Sequence, residues 1–373
     1  MKKLYRKLIR SLENIAVRVE RRKTLIAERI AIRRKKKLYN HIKWSKEQKQ
    51  EYKEYWKKHY GKVFSNRWHR LYQASNGVFR VDYMPEILYS TKIEQKLNDY
   101  KHIGVLSNKS FTPVLFDSRI SGVRTPKTFA FRSNGQCYDS ERRLVSLEDA
   151  ATLLCDAGVC VIKPTVDSSS GHGVRFLNLR DGKDVKTGEA VLDILSSSGD
   201  NFIVQEKIKQ HEKLAALHPS SLNTIRVITY VCDNSIYITP ISVRVGGGGS
   251  EVDNIHAGGI SIGANDDGSL LTYAYRLGYG DSFEKFDVHP DTKIRFDGYK
   301  LDFMPKVVEV AKSLHTMTTN IGMISWDFSV DDQDNVIVIE TNLRGQSVWF
   351  PQMLSGRALF GENTPKMLSL IKK

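Results

Sequence analysis

The segment at residues 324–342, ISWDFSVDDQDNVIVIETN, constrains the fold more than any other part of the chain. Two apolar runs flank a stretch of Asp, Asn and Gln that favours a tight turn, so the segment predicts a β-hairpin. With the turn centred on residues 333–334, Asp327 pairs directly with Glu340, and their Cα atoms lie within ~5.5 Å. Asn342, two residues further along the second strand, points to the same face as Glu340.

Two carboxylates that face each other across a hairpin repel unless a cation lies between them. Carboxylate and amide oxygens are ligands that Mg²⁺ prefers, and Mg²⁺ usually shares its coordination with substrate phosphates. Asp327, Glu340 and Asn342 therefore predict a metal site. The alternative is that these are polar side chains at strand ends that face solvent.

The main body of the chain mixes short strand-like patterns with helical ones. The strand-like patterns lie at residues 129–131, 159–163, 174–177, 202–205, 225–231, 236–243, 324–330 and 336–340. Helical patterns lie at 147–156 and 306–318. Together with tight turns rich in Gly, Asp and Asn, they predict an α+β or α/β enzyme-like body.

A strand carrying Lys163 leads into a loop of small residues, DSSSGHG, at 167–173. Backbone N–H groups of Gly and Ser approach phosphate closely, and Lys supplies a positive charge, so the segment predicts a phosphate contact. The order GxxxxGK[ST] is missing and the following residues favour a strand, so the loop is not a P-loop. A flexible hairpin connection is the alternative.

Two further segments place polar groups in unusual surroundings. Arg226 lies within an apolar strand pattern, where its guanidinium needs an anion, either a phosphate or an acidic residue of the chain. The run at 244–259, RVGGGGSEVDNIHAGG, predicts either a substrate lid or a long hairpin loop. The candidate substrate contacts are Asn223, Arg244, Asp253, Asn254 and His256.

The positive charge of the chain is confined to its N-terminal part. Residues 1–60 hold 21 basic and 6 acidic side chains, an excess equal to the net charge of +15 of the whole chain. Apolar residues at steps of three and four from Leu4 to Val19 predict a helix with a basic opposite face. We interpret it as a helical arm whose apolar stripe packs on the body. The alternative is that residues 1–60 dock on an anionic membrane surface or a partner enzyme; nucleic acid is disfavoured, because no recognition module accompanies the charge.

Composition argues against several classes of protein. The four cysteines form no CxxC pair and have no His partner at zinc spacing, which argues against a disulfide scaffold or a structural zinc site. No run approaches the ~18 apolar residues of a membrane-spanning helix. The N-terminus lacks the continuous apolar segment of a signal peptide. We therefore expect a cytoplasmic location, with peripheral attachment at the inner face of the membrane as a further expectation.

Taken in order, these segments resemble the ATP-grasp superfamily of carboxylate ligases, and most closely its sugar-transfer-associated group. The matching motifs are Thr125-Pro-Lys127, Val161-Ile-Lys-Pro164 with the Ser/Gly loop, Val204-Gln-Glu-Lys207, His218-Pro-Ser-Ser-Leu-Asn-Thr-Ile-Arg226, Asp253-Asn254 with Gly258-Gly259, and Asp327 with Glu340-Thr-Asn342. The resemblance implies an α+β fold in which two lobes grip ATP between them. It implies a basic helical region at 1–100, a preceding segment at 101–125, a small lobe at 126–205 and a large lobe with a C-terminal helix at 206–373.

The resemblance also implies roles for single residues. Those implied to contact ATP are Lys127, Lys163, Ser169, Ser170, Gly171, Gly173, Gln205, Glu206, Lys207, Ile208, Glu212 and Lys213. Lys127, Lys163 and the Ser/Gly loop would contact the phosphates. Residues 206–208 would contact the adenine, and Glu212 or Lys213 would contact the ribose. One or two Mg²⁺ ions would be held by Asp327, Glu340 and Asn342. Arg226 would face the transferring phosphate, and Arg344 would bind a substrate carboxylate.

The implied activity is an ATP-dependent ligase that joins a carboxylate to an amine through an acyl phosphate. The implied substrates are a sugar acid and an amino acid in the synthesis of bacterial cell-surface polysaccharide such as capsule, and a hydroxyl in place of the amine would give an ester. A small-molecule kinase would use the same ATP site but stop at a phosphorylated product. A non-catalytic nucleotide-binding module that docks through its basic arm is a further alternative. A protein kinase is disfavoured, because neither HRD nor DFG is present; a glycosyltransferase leaves Lys163 and Gln205-Glu206 unexplained.

Overall fold

Two β-sheets and a largely helical N-terminal region make up the described part of the chain in the computed structural model. It describes residues 2–99, 103–166, 173–251, 253, 258–277 and 282–372, with side chains left out at 2–4, 6–14 and 16. This is the α+β class that the sequence predicts. Among these residues, no helix combines the length and the apolar content that crossing a bilayer requires.

The helices and strands are numbered in chain order. The helices are α1 (Lys2–Arg34), α2 (Lys36–Tyr39), α3 (Lys46–Tyr60), α4 (Arg67–Asn76), α5 (Glu86–Leu88), α6 (Glu94–Leu97), α7 (Thr112–Phe116), α8 (Leu147–Leu153), α9 (Val191–Ser197), α10 (Glu212–Leu217), α11 (Met304–Thr316), α12 (Trp349–Ser355) and α13 (Thr364–Ser369). A π-helical turn (Tyr89–Ile93) joins α5 to α6, and a 3₁₀ turn (Gly361–Asn363) precedes α13. The strands are β1 (Val123–Arg124), β2 (Thr128–Ser133), β3 (Gln136–Asp139), β4 (Leu144–Val145), β5 (Gly158–Pro164), β6 (Arg175–Arg180), β7 (Lys183–Asp184), β8 (Phe202–Glu206), β9 (Thr224–Cys232), β10 (Ser235–Ile238), β11 (Ile241–Val245), β12 (Ile260–Ala264), β13 (Leu270–Leu277), β14 (Phe283–Phe286), β15 (Met323–Val330) and β16 (Val336–Asn342). The boundaries at residues 100, 125 and 205 stay predictions.

The smaller sheet is built from β2 to β8. Its strand order is β4-β3-β2-β8-β5-β6-β7, and every pairing is antiparallel. Leu154, which follows α8, and Ile194 of α9 pack with Ile162 and Val204 of the sheet in one apolar core. The two helices therefore hold the central strands β5 and β8, which lead directly to the site described below.

The larger sheet combines β1 with β9 to β16. Its order is β1-β16-β15-β9-β11-β12-β13-β14, with β10 also paired to β9, and β1 is parallel to β16 while the other pairings are antiparallel. Every residue of β15 is buried. Leu314 of α11 packs with Trp326 and Phe328 in the core of this sheet. Burial on both faces makes β15 a rigid support for the polar side chains it carries.

The N-terminal helices pack against C-terminal ones. Tyr52, Trp56 and Tyr60 recur at steps of four along α3 and are all buried. They share an apolar cluster with Met367 and Leu368 of α13. Because residues four apart lie on one face of a helix, this spacing gives α3 a continuous aromatic face for docking. The region from α3 onward is therefore part of the folded body.

The prediction that the apolar stripe of α1 packs on the body is wrong where it is described. Ile15 is 51% exposed and Val19 is 47% exposed. Leu25 and Ile32 make the contact instead, in a cluster with residues of α4 and α12. At 3.6 residues per turn, positions 25 and 32 lie within about 20° of each other and about 80–140° around the helix from positions 15 and 19. The side chains of Leu4, Leu8 and Leu12 lie outside the described residues.

The strand predicted over residues 236–243 is two strands, β10 and β11. Ile238 pairs with Thr229 whereas Ser242 pairs with Arg226, so the register along β9 shifts by one residue between them. Pro240 lies at this shift. Since proline has no backbone N–H, it cannot donate to the ladder, and the strand is interrupted there.

Candidate active site

The hairpin of β15 and β16 places two carboxylates opposite each other. Asp327 pairs with Glu340, as predicted. The turn is longer than predicted, because residues 330 and 336 pair and leave a five-residue connection, 331–335. Asp331 accepts backbone hydrogen bonds from residues 333 and 335, which stabilises this connection. A β-bulge at Ile339 then shifts the register by one residue and restores the predicted pairing.

Asp327 lies at the centre of an ion-pair network. β9 runs beside β15 and pairs Arg226 with Asp327, so Arg226, Asp327 and Glu340 form a row across three strands. Nε and Nη2 of Arg226 donate to the two carboxylate oxygens of Asp327, each at 2.7 Å. Nη1 of Arg244 on β11 donates to Oδ2 of Asp327 at 3.2 Å. The anion that Arg226 requires is therefore supplied by the chain itself.

Burial and charge act in opposite directions on these groups. Asp327 is 2% exposed. Burial raises the pKa of its carboxyl, but the charges of Arg226 and Arg244 and the hydrogen bonds lower it, and the net pKa lies below the ordinary value. Burial lowers the pKa of Arg226, but Asp327 raises it above its ordinary value. Burial raises the pKa of Asp253 despite the opposing charge of Arg244.

Two lysines interact with Glu340. Nζ of Lys109 lies 3.1 Å from Oε2 of Glu340. The backbone N–H of Lys109 donates to the carbonyl of Thr165 at 3.0 Å, which holds this segment beside the end of β5. Burial, together with the charge of Lys109, lowers the pKa of Lys163 on β5 to about 8, and Glu340 opposes this shift. Cations from outside the larger sheet therefore complete the surroundings of Glu340.

Arg124 joins the two sheets. Its Nη1 donates to Glu206 at the end of β8, and its Nε donates to Oδ2 of Asp331 in the hairpin at 3.0 Å. Oε1 of Glu206 also accepts from the backbone N–H of Lys127 at 2.7 Å. Glu206 and Asp331 raise the pKa of Arg124 although burial lowers it. This contact fixes the end of β8 relative to the carboxylates of the hairpin.

A cavity of about 400 Å³ lies between the two sheets, within the size range of small-molecule sites. Its charged and amide lining includes Lys109, Lys163, Gln205, Glu206, Lys207, Arg226, Arg244, Glu251, Asp253, Asp327, Glu340 and Asn342. Its apolar lining includes Val161, Val174, Phe176, Ile208, Leu222 and Ile339. Most of the described residues that the sequence singles out for nucleotide, metal or substrate therefore meet around one cavity.

The first glycine of the run that follows β11, Gly246, lies close to two histidines. Nε2 of His289 lies 3.0 Å from the carbonyl oxygen of Gly246. A Cβ at Gly246 would lie 2.6 Å from Nδ1 of His218, so only glycine fits there. Asn223 accepts from the N–H of Gly246 and from Oγ of Ser221, and its amide donates to two backbone carbonyls. Asn223 is fully buried and bonded within the fold, so its surroundings do not suit the predicted substrate contact.

Three residues predicted to contact ATP are not among those that line the cavity. Lys127 is exposed, and its Nζ lies 5.5 Å from the centroid of the Phe129 ring. Glu212 is exposed at the start of α10. Nζ of Lys213 donates to Asp302. The contacts predicted for Lys127, Glu212 and Lys213 stay predictions.

Arg344 points toward the N-terminal helix. Its Nη2 donates to Oε1 of Glu20 on α1 at 2.9 Å, and both side chains are about half exposed. β16 ends at Asn342, and Gly345, not Arg344, lines the cavity. Proximity in sequence to the predicted metal ligands was therefore a poor guide to the position of this side chain.

The Ser/Gly loop is described only at its end. Gly173 has φ of 77°, and a Cβ there would lie 2.9 Å from Cγ of Pro164, so glycine is required. The predicted site residues Ser169, Ser170, Gly171, Asn254 and His256 lie outside the described residues.

Sequence reasoning missed three residues that organise the site. Lys109 lies in a segment without strand or motif signal, and only the fold brings it to Glu340. Thr224 donates from Oγ1 to Oδ2 of Asp253. Arg124 directly precedes the Thr125-Pro-Lys127 motif, so its position beside that motif was an available signal.

Asp327, Glu340 and Asn342 fit a divalent cation in their chemistry. They supply carboxylate and amide groups, the hard ligands of Mg²⁺. Nδ2 of Asn342 lies 3.4 Å from Oδ2 of Asp327 and 3.3 Å from Oε1 of Glu340, so the three groups converge. A rotation of the amide would present its oxygen at the same place. No group of three or more His, Cys, Asp or Glu side chains is arranged to hold a metal in the described part of the chain.

Comparison with known proteins gives a family and several distant structures. The chain matches the family model of sugar-transfer associated ATP-grasp proteins over residues 88–366. No curated protein matches it. Similar solved structures include N5-carboxyaminoimidazole synthetase from Staphylococcus aureus complexed with ADP, at 10% identity and a TM-score of 0.41, covering 74% of this chain and 55% of that one. The D-Ala:D-Ser ligase from Enterococcus faecalis is 13% identical with a TM-score of 0.39, covering 72% of this chain and 61% of that one.

The L-amino acid ligase from Bacillus licheniformis is 12% identical with a TM-score of 0.37, covering 70% of this chain and 48% of that one. The chain thus spans about half to three fifths of the length of these structures. The family match is of a different kind, because it runs from the end of α5 into α13 and includes both walls of the cavity. The chain belongs to the sugar-transfer associated ATP-grasp family.

Proposed function

We propose that this protein is an ATP-dependent ligase that joins a carboxylate to an amine through an acyl phosphate. The proposed substrates are a sugar acid and an amino acid, and the proposed setting is the synthesis of bacterial cell-surface polysaccharide in the cytoplasm. One observation carries the proposal. A single cavity between two sheets brings three cations, Lys163, Arg226 and Arg244, together with the predicted metal ligands of the hairpin.

The lining of the cavity supports nucleotide binding. Val161, Phe176 and Ile208 offer apolar surface that suits an adenine ring. Lys163 and Arg226 offer positive charge that suits phosphates. Lys207 is held near this surface, because its Nζ lies 5.1 Å from the centroid of the Phe176 ring. ATP is therefore the proposed cosubstrate.

Asp327, Glu340 and Asn342 would hold one or two Mg²⁺ ions, which supply positive charge next to the phosphates of ATP. These three residues lie on the larger sheet, whereas Lys163 lies on the smaller one. Phosphates between the sheets would thus be flanked from both sides. Arg226 is oriented by its two hydrogen bonds to Asp327, so little side-chain entropy is lost when a phosphate binds.

The proposed reaction has two steps. A carboxylate oxygen of the first substrate attacks the γ-phosphorus, and the bond from that phosphorus to the bridging oxygen of ADP breaks. The amine nitrogen of the second substrate then attacks the acyl carbon, inorganic phosphate leaves, and the nitrogen loses a proton. Arg226 and Lys163 stabilise negative charge on the transferred group through positions that the fold already holds. No protein nucleophile is needed.

Release of inorganic phosphate tests this proposal. The purified protein is incubated with ATP, Mg²⁺ and pairs drawn from a panel of sugar acids and amino acids, and phosphate and ADP are both measured. The proposal predicts that one pair releases phosphate and ADP in equal amounts, and that Lys163→Met abolishes the release while the exposed Lys183→Met does not. ADP formed without phosphate would instead indicate a small-molecule kinase. Absence of turnover with every pair, in a protein that binds ATP, would contradict the proposed substrate class.

The basic N-terminal part remains outside this chemistry. A polysaccharide-synthesis enzyme that receives the product is a proposed partner of residues 1–60. An anionic membrane surface is the other proposed partner of this region.

A further inference from the structure

A crevice beneath α1 is lined by positive charge. It has a volume of about 470 Å³ and lies between α1, the segment that follows α3, and the α5 region. The cationic residues that line it are Arg21, Arg29, Arg33, Lys62, Arg67 and Lys92. None of its described lining residues is acidic, and none of these six cations lies within 4.0 Å of a carboxylate of the described residues. Six cations gathered without a counter-charge create a positive potential that attracts anions.

The same crevice has an apolar floor. Its buried apolar residues are Ile32, Trp68, Ile87 and Leu88. Nε1 of Trp68 is buried and has no hydrogen-bond partner, which is rare for an indole N–H in a folded protein. A small inorganic anion would meet the cations but leave the apolar floor in contact with water. An anion that carries an apolar group satisfies both.

The crevice continues along the helix. A second cavity of about 520 Å³ shares Arg21, Thr91 and Lys92 with the first. Lys96 and Lys372 add further positive charge there. An elongated ligand therefore has room along the underside of α1.

The outward face of α1 has the same mixed character. Ile26 and Ile30 are 56% and 44% exposed, and Val19 is exposed as well. The exposed cations Arg22, Lys23 and Arg34 lie among them. Aliphatic side chains mixed with Lys and Arg on one exposed face are typical of helices that lie in the surface of a bilayer.

The acidic residues of α1 near this face are paired or buried. From residue 17 to residue 37 the acids are Glu20 and Glu28. Glu20 pairs with Arg344 at 2.9 Å. Glu28 is largely withdrawn from solvent, and burial raises the pKa of its carboxyl to about 7 while Lys35 opposes the shift. The outward face therefore presents little negative charge that would repel an anionic surface.

We propose that the crevice binds the phosphate headgroup of an anionic membrane lipid while the outward face of α1 lies on the bilayer. The guanidinium groups at the rim donate hydrogen bonds to phosphate oxygens, the apolar floor contacts the bound lipid molecule, and the exposed isoleucines contact the surrounding bilayer. The ligand class is an amphiphilic phosphate. The helix lies along the surface, because its face is alternately aliphatic and cationic.

Sedimentation of the full-length protein with lipid vesicles tests this proposal. Vesicles of phosphatidylcholine alone are compared with vesicles that also contain phosphatidylglycerol. The proposal predicts that the protein pellets with the phosphatidylglycerol vesicles only, and that added salt weakens the binding. Arg29→Glu combined with Arg33→Glu should lower the partition coefficient at least about tenfold, because each removed cation is replaced by a repelling charge.

A matched control separates the crevice from general electrostatics. Arg180→Glu combined with Lys312→Glu makes the same change in net charge at exposed positions outside α1. Its partition coefficient should stay within about twofold of the unmodified protein. Ile26→Ser combined with Ile30→Ser should weaken binding while leaving the charge unchanged. Circular dichroism and binding of ATP with Mg²⁺ verify that every variant is folded.

Three results would overturn the proposal. Equal losses in the crevice variant and the control variant would show that net charge alone attracts the protein. Pelleting with phosphatidylcholine vesicles to the same extent would remove the role of the headgroup charge. Stabilisation by inorganic phosphate, lost in the crevice variant and without vesicle binding, would identify a site for free phosphate rather than for a lipid.

Discussion

Replacing Lys163 with methionine should stabilise the ligand-free protein. The pKa of this lysine falls from the ordinary 10.5 to about 8, chiefly because burial disfavours its charge. That difference corresponds to about 3 kcal/mol of free energy of unfolding that is lost while the lysine is charged. Lys163 is half-buried at the wall of the cavity, where water screens part of this cost. We therefore expect Lys163→Met to raise the free energy of unfolding by about 1–2 kcal/mol at neutral pH.

The stability difference between Lys163→Met and the unmodified protein should depend on pH. Below about pH 8 the lysine is charged in the folded and the unfolded chain, so the cost is constant. Between pH 8 and 10.5 the folded chain releases the proton first, and the stability of the unmodified protein rises with pH. The advantage of Lys163→Met should therefore shrink at pH 10 to about a quarter of its neutral value.

Urea unfolding at pH 7 and pH 10 measures both quantities. The exposed Lys183→Met on β7 is the matched control and should change stability by less than about 0.5 kcal/mol. Lys163→Met should also lose the thermal stabilisation that we expect ATP and Mg²⁺ to give the unmodified protein. A variant that is less stable than the unmodified protein at neutral pH, or a difference that does not change with pH, would refute the reasoning.

Three further predictions concern the supports of the site. Arg226→Met leaves the buried carboxylate of Asp327 with only weaker partners and should lower the free energy of unfolding in urea by about 3–5 kcal/mol; a loss below about 1 kcal/mol would contradict the importance of this pair. Because the pKa of Asp327 is lowered in the folded protein, the stability from its pairing is present at neutral pH and lost as pH falls through the folded pKa. Asp327→Asn should therefore weaken the acid dependence of the melting temperature, and an unchanged profile would refute the assignment. Gly246→Ala places a methyl group 2.6 Å from Nδ1 of His218 and should lower the free energy of unfolding by about 1–3 kcal/mol in thermal unfolding. Gly104→Ala is the control, because open space surrounds this glycine, and it should have little effect. Equal melting temperatures of the two variants would exclude the clash.

The hairpin of the site was predictable because its determinants are local. Alternating strands and a polar turn define which residues face each other within one short segment. The predicted turn was centred half a residue away from the observed one, and the bulge at Ile339 compensated for that error. The pairing of Asp327 with Glu340 was therefore correct although the path between them was not. A bulge of this kind has no clear signature in a single sequence.

Contacts between distant segments could not be predicted in the same way. Lys109 reaches Glu340 across more than two hundred residues of chain, and nothing in its own segment marks it. α1 has apolar residues on two sides, and periodicity alone does not say which side packs; the surfaces of α4 and α12 select Leu25 and Ile32. Arg344 follows the predicted metal ligands in sequence, but the chain leaves the strand there and the side chain meets Glu20.

Binding of ATP in the presence and absence of Mg²⁺, measured by isothermal titration calorimetry, tests the central claim that the hairpin carboxylates form a metal-dependent nucleotide site. The comparison uses the unmodified protein, Glu340→Ala and the exposed Glu362→Ala as a matched control. We predict Mg²⁺-dependent binding that weakens at least about tenfold in Glu340→Ala and is unchanged in Glu362→Ala, since one charge-assisted contact is worth about 1.5–3 kcal/mol. Equal affinity of Glu340→Ala and the unmodified protein, or no binding by a folded unmodified protein, would contradict the claim.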